Sequence, residues 1–229
     1  MIAFPPPGKH LKRALIGLVI AYLLSHSLFS SSAHTLALDS QRVAEGELWR
    51  TLSYALLHDG PFHLISNLLL FYFFGLELER YGGPRLLWRA LLAGVLAGAF
   101  AVLLTAWVSG NPQVVIGASA AGFTLLTLWS LRFAQRTILL FGVLPLTGQQ
   151  ILMLTIGYEL ILSVTKGATS TSAHFGGIAA GFLLAGSARR WWLRRKLSRV
   201  RADMRRNKLR VIEGGRKREP KANDKDWLN

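Results

Sequence analysis

The chain has 229 residues, of which 51% are hydrophobic and 17% are charged, and its formal net charge is +15. A soluble domain of this size carries about 25% charged residues. This composition therefore excludes an ordinary soluble domain and indicates a membrane protein with several spans. Cysteine is absent, which excludes disulfides, thiolate nucleophiles and cysteine metal sites.

Six apolar segments approach the ~20 residues that a helix needs to cross a bilayer. In chain order they are residues 12–30, 62–79, 88–108, 115–131, 148–165 and 172–188. The predicted fold class is therefore an all-α membrane protein, a bundle of six transmembrane helices within residues 1–190. The apolar segment 138–145 is too short to cross and contains Pro145, so we expect it to lie at the membrane interface.

The first segment has an alternative interpretation as a signal peptide. Lys9, Lys12 and Arg13 precede its apolar core, and small residues follow at 31–33. Five further spans lie downstream, and they favour a helix that is retained.

The positive charge is concentrated at the C-terminal end, where 16 of the 27 Lys and Arg residues lie from Arg189 onward. This predicts a basic cytoplasmic tail, residues 191–229, that contacts anionic lipid headgroups. RNA binding is an alternative for the tail. No pattern of aromatic residues interleaved with basic ones supports it, and we expect no nucleic-acid partner.

Basic residues between the spans set the expected orientation. With the N-terminus in the cytoplasm, the inner loops carry Arg80, Arg85, Arg89, Arg132 and Arg136, and the outer loops carry Arg42, Arg50 and Lys166. This bias predicts that both termini are cytoplasmic. No organelle-targeting segment stands out, so a bacterial plasma membrane is the simplest location.

The second, fourth and sixth spans then run from outside to inside, and their N-terminal ends lie at the outer face. Those ends carry His63 with Asn67, Ser119, and His174. Polar residues within spans are costly and indicate function. Taken singly, a serine beside glycine is packing material and a histidine at a helix start is interfacial. Together, at one depth, they predict a site that opens outward.

The predicted site has the groups that acyl transfer requires. A serine such as Ser119 becomes a nucleophile when a base takes its proton, and His174 is a suitable base. Gly177 and Gly181 form a small-xxx-small face on the side of the helix that carries His174, which lets two helices approach closely. His63 and Asn67 are spaced i, i+4, and their side chains offer donors to an oxyanion.

Three stretches resemble a known family: LWRTLSYALLHDGPFHLISNLLLFYFFGLELERYGG (48–83), GASAAGF (117–123) and AHFGGIAAGF (173–182). Over roughly residues 10–190 the chain is similar to the rhomboid intramembrane serine proteases. The resemblance matches family motifs at Trp49-Arg50, at His58, His63 and Asn67, at Gly75, Glu79 and Gly83, at Ser119, and at His174, Gly177 and Gly181.

The resemblance implies a serine endopeptidase that uses a Ser-His dyad without aspartate, cofactor or metal. Ser119 would attack and His174 accept its proton, while Asn67, His63 and the Ser119 N–H hold the oxyanion. Gly117 would let chain and substrate approach closely. The substrates implied are single-span membrane proteins, cut in or near the transmembrane segment, and the loop 164–172 would be a flexible cap over the site.

The chain departs from the family pattern at two positions. Ala120 follows the serine where the family has glycine, and Phe123 stands where the family has tyrosine. Alanine is small enough for close packing. Phenylalanine keeps a ring that can stack on His174 but lacks the hydroxyl.

Five further residues are assigned expected roles. Glu159 is a carboxylate within the fifth span and a functional candidate, or else a neutral hydrogen-bonded group. The family pattern suggests that Glu79 caps and ties a helix to a loop. We expect Trp49-Arg50 to anchor the outer loop at the headgroups, and His58 to orient loop backbone.

Three alternatives compete with an active protease. A catalytically inactive relative that binds transmembrane segments would share the fold. A transporter would have repeated halves with broken helices, and no such repeat is evident. An interaction protein acting through its basic tail would use less than a fifth of the chain.

Overall fold

A computed structural model describes residues 5–27, 33–140, 143–165 and 170–186, together with residue 197 alone. The four ranges belong to one compact unit, Met1–Ser187. Apart from residue 197, the predicted basic tail lies outside the described residues.

The described part of the chain is mostly helical. Its longer helices are α1 (Lys9–Ser27), α5 (Pro61–Ser109), α6 (Ser119–Arg132), α7 (Gly148–Thr165) and α8 (170–186). Between α1 and α5 lie short helices: α2 (Ala33–Leu36), α3 (Ser40–Ala44), α4 (Arg50–Ser53) and a 3-10 turn (Tyr54–Leu56). These bounds agree with the predicted helical segments to within a few residues at most ends.

The long helix α5 is two helices joined at a break. Gly83 has φ 72° and ψ −175°, which is non-helical backbone that glycine adopts readily, and Pro84 follows it. Proline has no N–H to donate and suits the first position of a new helix. The predicted segments 62–79 and 88–108 therefore extend toward each other until only the break separates them. By length and apolar composition, α5 is the one helix in the described ranges that qualifies as a membrane-crossing segment.

Helix α6 forms the centre of the unit. Nearly all its residues from Ala120 to Ser130 are buried, so α6 is enclosed on all sides. The surrounding helices expose large apolar side chains, including Leu23 on α1, Phe100 on α5 and Ile161 on α7. An apolar outer face of this kind suits contact with lipid rather than with water.

Small residues let α8 approach α6 closely. A Cβ added at Gly177 would collide with the backbone of Ala120, and one added at Gly181 would lie 2.5 Å from Thr127 Cβ. Thr124 Oγ1 donates a hydrogen bond across this contact to the carbonyl of Gly177, at 2.8 Å. The GxxxG face of α8 is thus turned toward the helix that carries Ser119.

Two short antiparallel sheets complete the unit. Strand β1 (Leu38–Asp39) pairs with β2 (Val114–Val115), directly before α6. Strand β3 (Thr137–Leu140) pairs with β4 (Leu144–Thr147), with Thr137 opposite Thr147. Within the segment 138–145, predicted only as interfacial, residues 138–140 lie in β3 and residues 144–145 in β4.

The predicted cap, residues 164–172, is helical at both ends. Residues 164–165 close α7 and residues 170–172 open α8, so the prediction of a flexible loop is wrong there. Residues 166–169 lie outside the described ranges.

Candidate active site

The residues predicted as nucleophile and base lie in contact. Ser119 is the first residue of α6 and His174 lies in the first turns of α8. The Ser119 Oγ and the His174 Nε2 are 2.8 Å apart, although 55 residues separate them in sequence. Both residues are half-buried, so the pair is shielded without being sealed. The distance and the half-burial are those that proton transfer from serine to imidazole requires.

Phe123 supports the imidazole from one face. Its ring is stacked on His174, with centroids 4.4 Å apart and planes inclined by 27°. Phe123 lies one helical turn after Ser119 on α6, so the helix that presents the hydroxyl also presents the stacking ring. The substitution of phenylalanine for tyrosine thus keeps the ring contact.

The backbone at Gly117 lies beside the part of α5 that carries His63 and Asn67. Its φ is +115°, a conformation that side-chain-bearing residues rarely adopt, and its N–H donates to the Tyr54 carbonyl at 2.9 Å. A Cβ at this position would lie 2.6 Å from His63 Nε2 and 3.9 Å from Asn67 Nδ2. His63 and Asn67 therefore lie beside the backbone that leads into Ser119.

The His63 ring has a charged partner that the sequence analysis missed. The His63 Nδ1 lies 2.7 Å from Asp59 Oδ1. A carboxylate only accepts, so Nδ1 carries the proton and Nε2 can donate only when the ring is doubly protonated. The i, i+4 spacing of Asp59 and His63 was the signal available in the sequence.

Asn67 is held from within its own helix. Its Nδ2 donates to the His63 carbonyl at 3.1 Å, and the residue is 1% exposed. One amide hydrogen is thereby committed. The second hydrogen of the same NH2 group remains available to donate to a ligand on the Gly117 side.

Glu159 also reaches the site. The Glu159 Oε2 lies 2.9 Å from His174 Nδ1, on the ring edge opposite Ser119. The sequence marks Glu159 as a functional candidate but does not connect it with His174, because no local pattern encodes the rotation of α7 against α8.

Comparison with known protein families identifies the family to which this chain belongs. Residues 45–191 match the Rhomboid domain family. The chain belongs to the rhomboid family. The predicted family is thereby confirmed, and since rhomboids are integral membrane proteins, this chain is one too.

Several curated rhomboids are similar to this one over part of their length. RHOMBOID-like protein 5 of Arabidopsis thaliana is 32% identical over 156 residues, which are 65% of this chain and 46% of the relative. Rhomboid protease GluP of Bacillus subtilis is 27% identical over 173 residues, 73% of this chain and 32% of the relative. The chain thus spans about a third to a half of the length of these two relatives.

A third relative bears a different label. Inactive RHOMBOID-like protein 8 of Arabidopsis thaliana is 38% identical over 77 residues, 33% of this chain and 21% of the relative. Membership of the rhomboid family therefore includes both proteins named proteases and a protein named inactive.

The Trp-Arg pair of this rhomboid lies in the segment between α1 and α5. Arg50 is 3% exposed, is ion-paired with Glu47 Oε2 at 2.6 Å, and donates to the Ala37 carbonyl at 2.8 Å. The prediction that Arg50 contacts lipid headgroups is wrong, because its guanidinium is buried within the loop it fastens. Trp49 is half exposed and donates from Nε1 to the Thr35 carbonyl at 3.3 Å.

Glu79 belongs to α5, and its carboxylate contacts the start of α1 rather than the Ser119–His174 pair. Its carboxylate accepts from the backbone N–H of His10 at 3.1 Å and of Leu11 at 3.2 Å. A Cβ at Gly8 would collide with that carboxylate. Glu79 thus caps the otherwise unpaired N–H groups of α1, where a negative charge is also favourable.

His58 is the most desolvated histidine described before α5. It is 3% exposed and lies edge-on to His63 at 5.0 Å between centroids. Burial, with the neighbouring His63 as a smaller cause, lowers the pKa of His58 to about 4. The imidazole is therefore neutral at neutral pH. The backbone of Leu56 acts on the ring as a smaller, opposing cause that raises the pKa, and the role of His58 in orienting loop backbone stays a prediction.

Proposed function

We propose that this rhomboid is an intramembrane serine endopeptidase in which Ser119 is the nucleophile and His174 the general base. The observation that carries the proposal is the 2.8 Å contact between Ser119 Oγ and His174 Nε2. A serine that served only in helix packing would not require an imidazole in hydrogen-bond contact with its hydroxyl. The half-buried setting also leaves room for water, which hydrolysis consumes.

The reaction follows from these positions. His174 Nε2 takes the hydroxyl proton as Ser119 Oγ attacks the scissile carbonyl, and the tetrahedral oxyanion forms beside the start of α6. The first N–H groups of that helix have no intrahelical partner and can donate to the oxyanion. His174 then gives its proton to the leaving amine, and a water activated in the same way releases the acyl group from Ser119.

Asn67 and His63 complete the oxyanion site in this proposal. Asn67 Nδ2 donates with the hydrogen that the His63 carbonyl does not use, and His63 Nε2 donates when the ring carries both protons. The Asp59 carboxylate accepts from His63 Nδ1 and so fixes the orientation of the ring. Gly117 has no side chain, and a Cβ there would fill the space beside His63 and Asn67.

The membrane context is part of the proposal. Six spans, formed by α1, the two halves of α5, α6, α7 and α8, would enclose the site, with the termini in the cytoplasm and Ser119 toward the outer side. Substrates would be single-span membrane proteins cut in or near the transmembrane segment. The domain boundary near residue 190, the contact of the basic tail with anionic headgroups, and a bacterial plasma membrane stay predictions.

An inactive protein that binds transmembrane segments is the second candidate. The similarity to Inactive RHOMBOID-like protein 8 and the two departures at Ala120 and Phe123 favour it. The two candidates share a fold and differ in whether Ser119 reacts.

Cleavage of a single-span substrate in liposomes distinguishes them. The purified protein is compared with Ser119→Ala and His174→Ala, and with Ser25→Ala as a control, since Ser25 Oγ donates only within α1. The proposal expects cleavage by wild type and the control and none by the two site variants at unchanged helicity. Equal cleavage by Ser119→Ala would overturn it, and no cleavage by any folded sample would favour the inactive candidate.

A further inference from the structure

One ionisable side chain is turned into the helix bundle outside the predicted dyad. Glu159 lies in the apolar stretch of α7 and is 2% exposed, while its neighbours Tyr158 and Leu160 are more than half exposed. A buried carboxylate is destabilising unless a charged or hydrogen-bonded partner compensates. On the outer, lipid-facing side of the same helix the carboxylate would have no such partner.

The partner of Glu159 is the proposed general base. Glu159 Oε2 lies 2.9 Å from His174 Nδ1, and the other ring nitrogen, Nε2, lies 2.8 Å from Ser119 Oγ. Three side chains from three different helices thus form one line of hydrogen bonds. Glu159 stands 15 residues before His174 in sequence, so the contact is made by the packing of α7 against α8 and not by a shared helical face.

The chemistry of the three groups fixes where the protons lie. An ionised carboxylate has no hydrogen to donate, so Nδ1 must carry the proton of the neutral imidazole. Nε2 then holds its lone pair toward Ser119 and can accept the hydroxyl proton. The opposite tautomer would place a hydrogen on Nε2 and block that transfer.

The ring is held on three sides by this arrangement. Glu159 fixes one edge, Ser119 contacts the other, and Phe123 covers a face at 4.4 Å. The carboxylate has a second effect once the reaction starts, because it lies in hydrogen-bond contact with the imidazolium that forms when His174 takes the proton.

We propose that Glu159 is a positioning residue that selects the Nδ1-protonated tautomer of His174 and stabilises its imidazolium, so that this rhomboid uses a Ser119–His174–Glu159 triad. The inference rests on the proposed function. It differs from the dyad implied by the family resemblance, in which no carboxylate takes part.

The test uses the full chain in liposomes and two substitutions of the carboxylate. Glu159→Gln keeps the shape but its amide can donate to Nδ1 and so favour the wrong tautomer, while Glu159→Asp keeps the charge on a shorter arm. Glu45→Gln is the matched control, since Glu45 forms an exposed pair with Arg42. The kcat and KM values for a single-span substrate are measured for each.

The expected result is a loss in kcat of about 10² to 10⁴-fold for Glu159→Gln with KM within about twofold. Glu159→Asp should lie between that value and wild type, and Glu45→Gln should equal wild type. A variant that merely loosened the bundle would instead lower the active fraction, with no rescue by the charged aspartate.

A spectroscopic measurement keeps the inference falsifiable if Glu159→Gln does not fold. The wild-type chain is labelled with ¹⁵N-histidine, and the His174 signals are assigned by their loss in His174→Ala. The inference expects the proton on Nδ1 at neutral pH. A proton on Nε2 would mean that Glu159 is itself protonated and donates, and would overturn the proposed role.

The outcomes separate this inference from the proposed function. If wild type cleaves, Ser119→Ala does not, and Glu159→Gln has the wild-type kcat, the triad is wrong and the dyad stands. If the folded wild type does not cleave the substrate, or if Ser119→Ala cleaves it equally well, the proposed function fails. The role of Glu159 then fails with it.

Discussion

The ring of Phe123 is stacked on the imidazole of His174, and the Ser119 hydroxyl, one helical turn before Phe123 on α6, contacts the same imidazole. The contact explains how a chain with phenylalanine at this position can still hold the base against the nucleophile. Stacked rings contribute about 0.5–1.5 kcal/mol beyond the area they bury.

Replacement of Phe123 tests that contact. Phe123→Leu keeps an apolar side chain but removes the ring, so we expect kcat/KM to fall by about 2- to 10-fold. Phe123→Tyr should retain at least wild-type activity, since it keeps the ring. Equal activity of Phe123→Leu and wild type would show that stacking does not position His174.

Gly117 offers a test of the proposed oxyanion site. Gly117→Ala forces a side chain into φ +115° and against His63 Nε2, so we expect kcat to fall by about 10²-fold as His63 is displaced. Gly17→Ala is the control, because a Cβ at Gly17 on α1 has nothing within 4 Å. That change should leave activity intact and raise stability by about 0.5–1 kcal/mol. Wild-type kcat for Gly117→Ala would contradict the placement of the oxyanion beside Gly117.

Because its imidazole is buried in the neutral form, His58 makes the free energy of unfolding decrease as the pH falls. Its folded-state pKa of about 4 lies below the usual histidine value of 6.5, so the folded state binds fewer protons than the unfolded state between those values. Its contribution to stability is full above pH 6.5 and is lost as the pH falls to 4. The loss is about 3 kcal/mol for this one group.

The measurement is the unfolding midpoint in detergent as a function of pH. We expect the wild-type midpoint to fall between pH 6.5 and 4 and His58→Gln to show a shallower fall over the same range. A slope unchanged in His58→Gln would contradict the burial of a neutral imidazole there.

Glu79 provides a stability test outside the Ser119 pair. Glu79→Ala leaves the N–H groups of His10 and Leu11 without their acceptor, so we expect the free energy of unfolding to drop by about 1–2 kcal/mol. Glu45→Ala removes an exposed ion pair and should cost less than about 1 kcal/mol. Comparable losses in the two variants, measured by denaturant titration, would argue against a capping role.

The sequence predicted the elements whose signals are local. Long apolar runs predicted the helices, and polar residues inside those runs predicted that Ser119 and His174 would lie together. The small face at Gly177 and Gly181 predicted the close helix contact, because such a face has one physical use inside a bundle. Each of these patterns involves residues within a few turns of one helix, so the sequence alone shows it.

The missed features depend on how distant segments meet. The contact between Glu159 and His174 depends on the rotation of α7 about its axis, which apolar residues on several faces leave undetermined. The burial of Arg50 depends on the folded loop around Glu47 and Ala37. The sequence alone predicts an interfacial position for a basic residue beside a tryptophan near a span. The β3–β4 hairpin depends on pairing between two short segments that carry no strong turn signal.

Covalent labelling of Ser119 tests the central claim most directly. The full chain in liposomes is treated with a fluorophosphonate probe, and the modified residue is located by mass spectrometry in wild type, Ser119→Ala and His174→Ala. We expect one adduct on Ser119 in wild type, none in Ser119→Ala, and a labelling rate reduced by about 10² or more in His174→Ala. A folded wild type that stays unlabelled, or one labelled at the same rate without His174, would contradict the central claim.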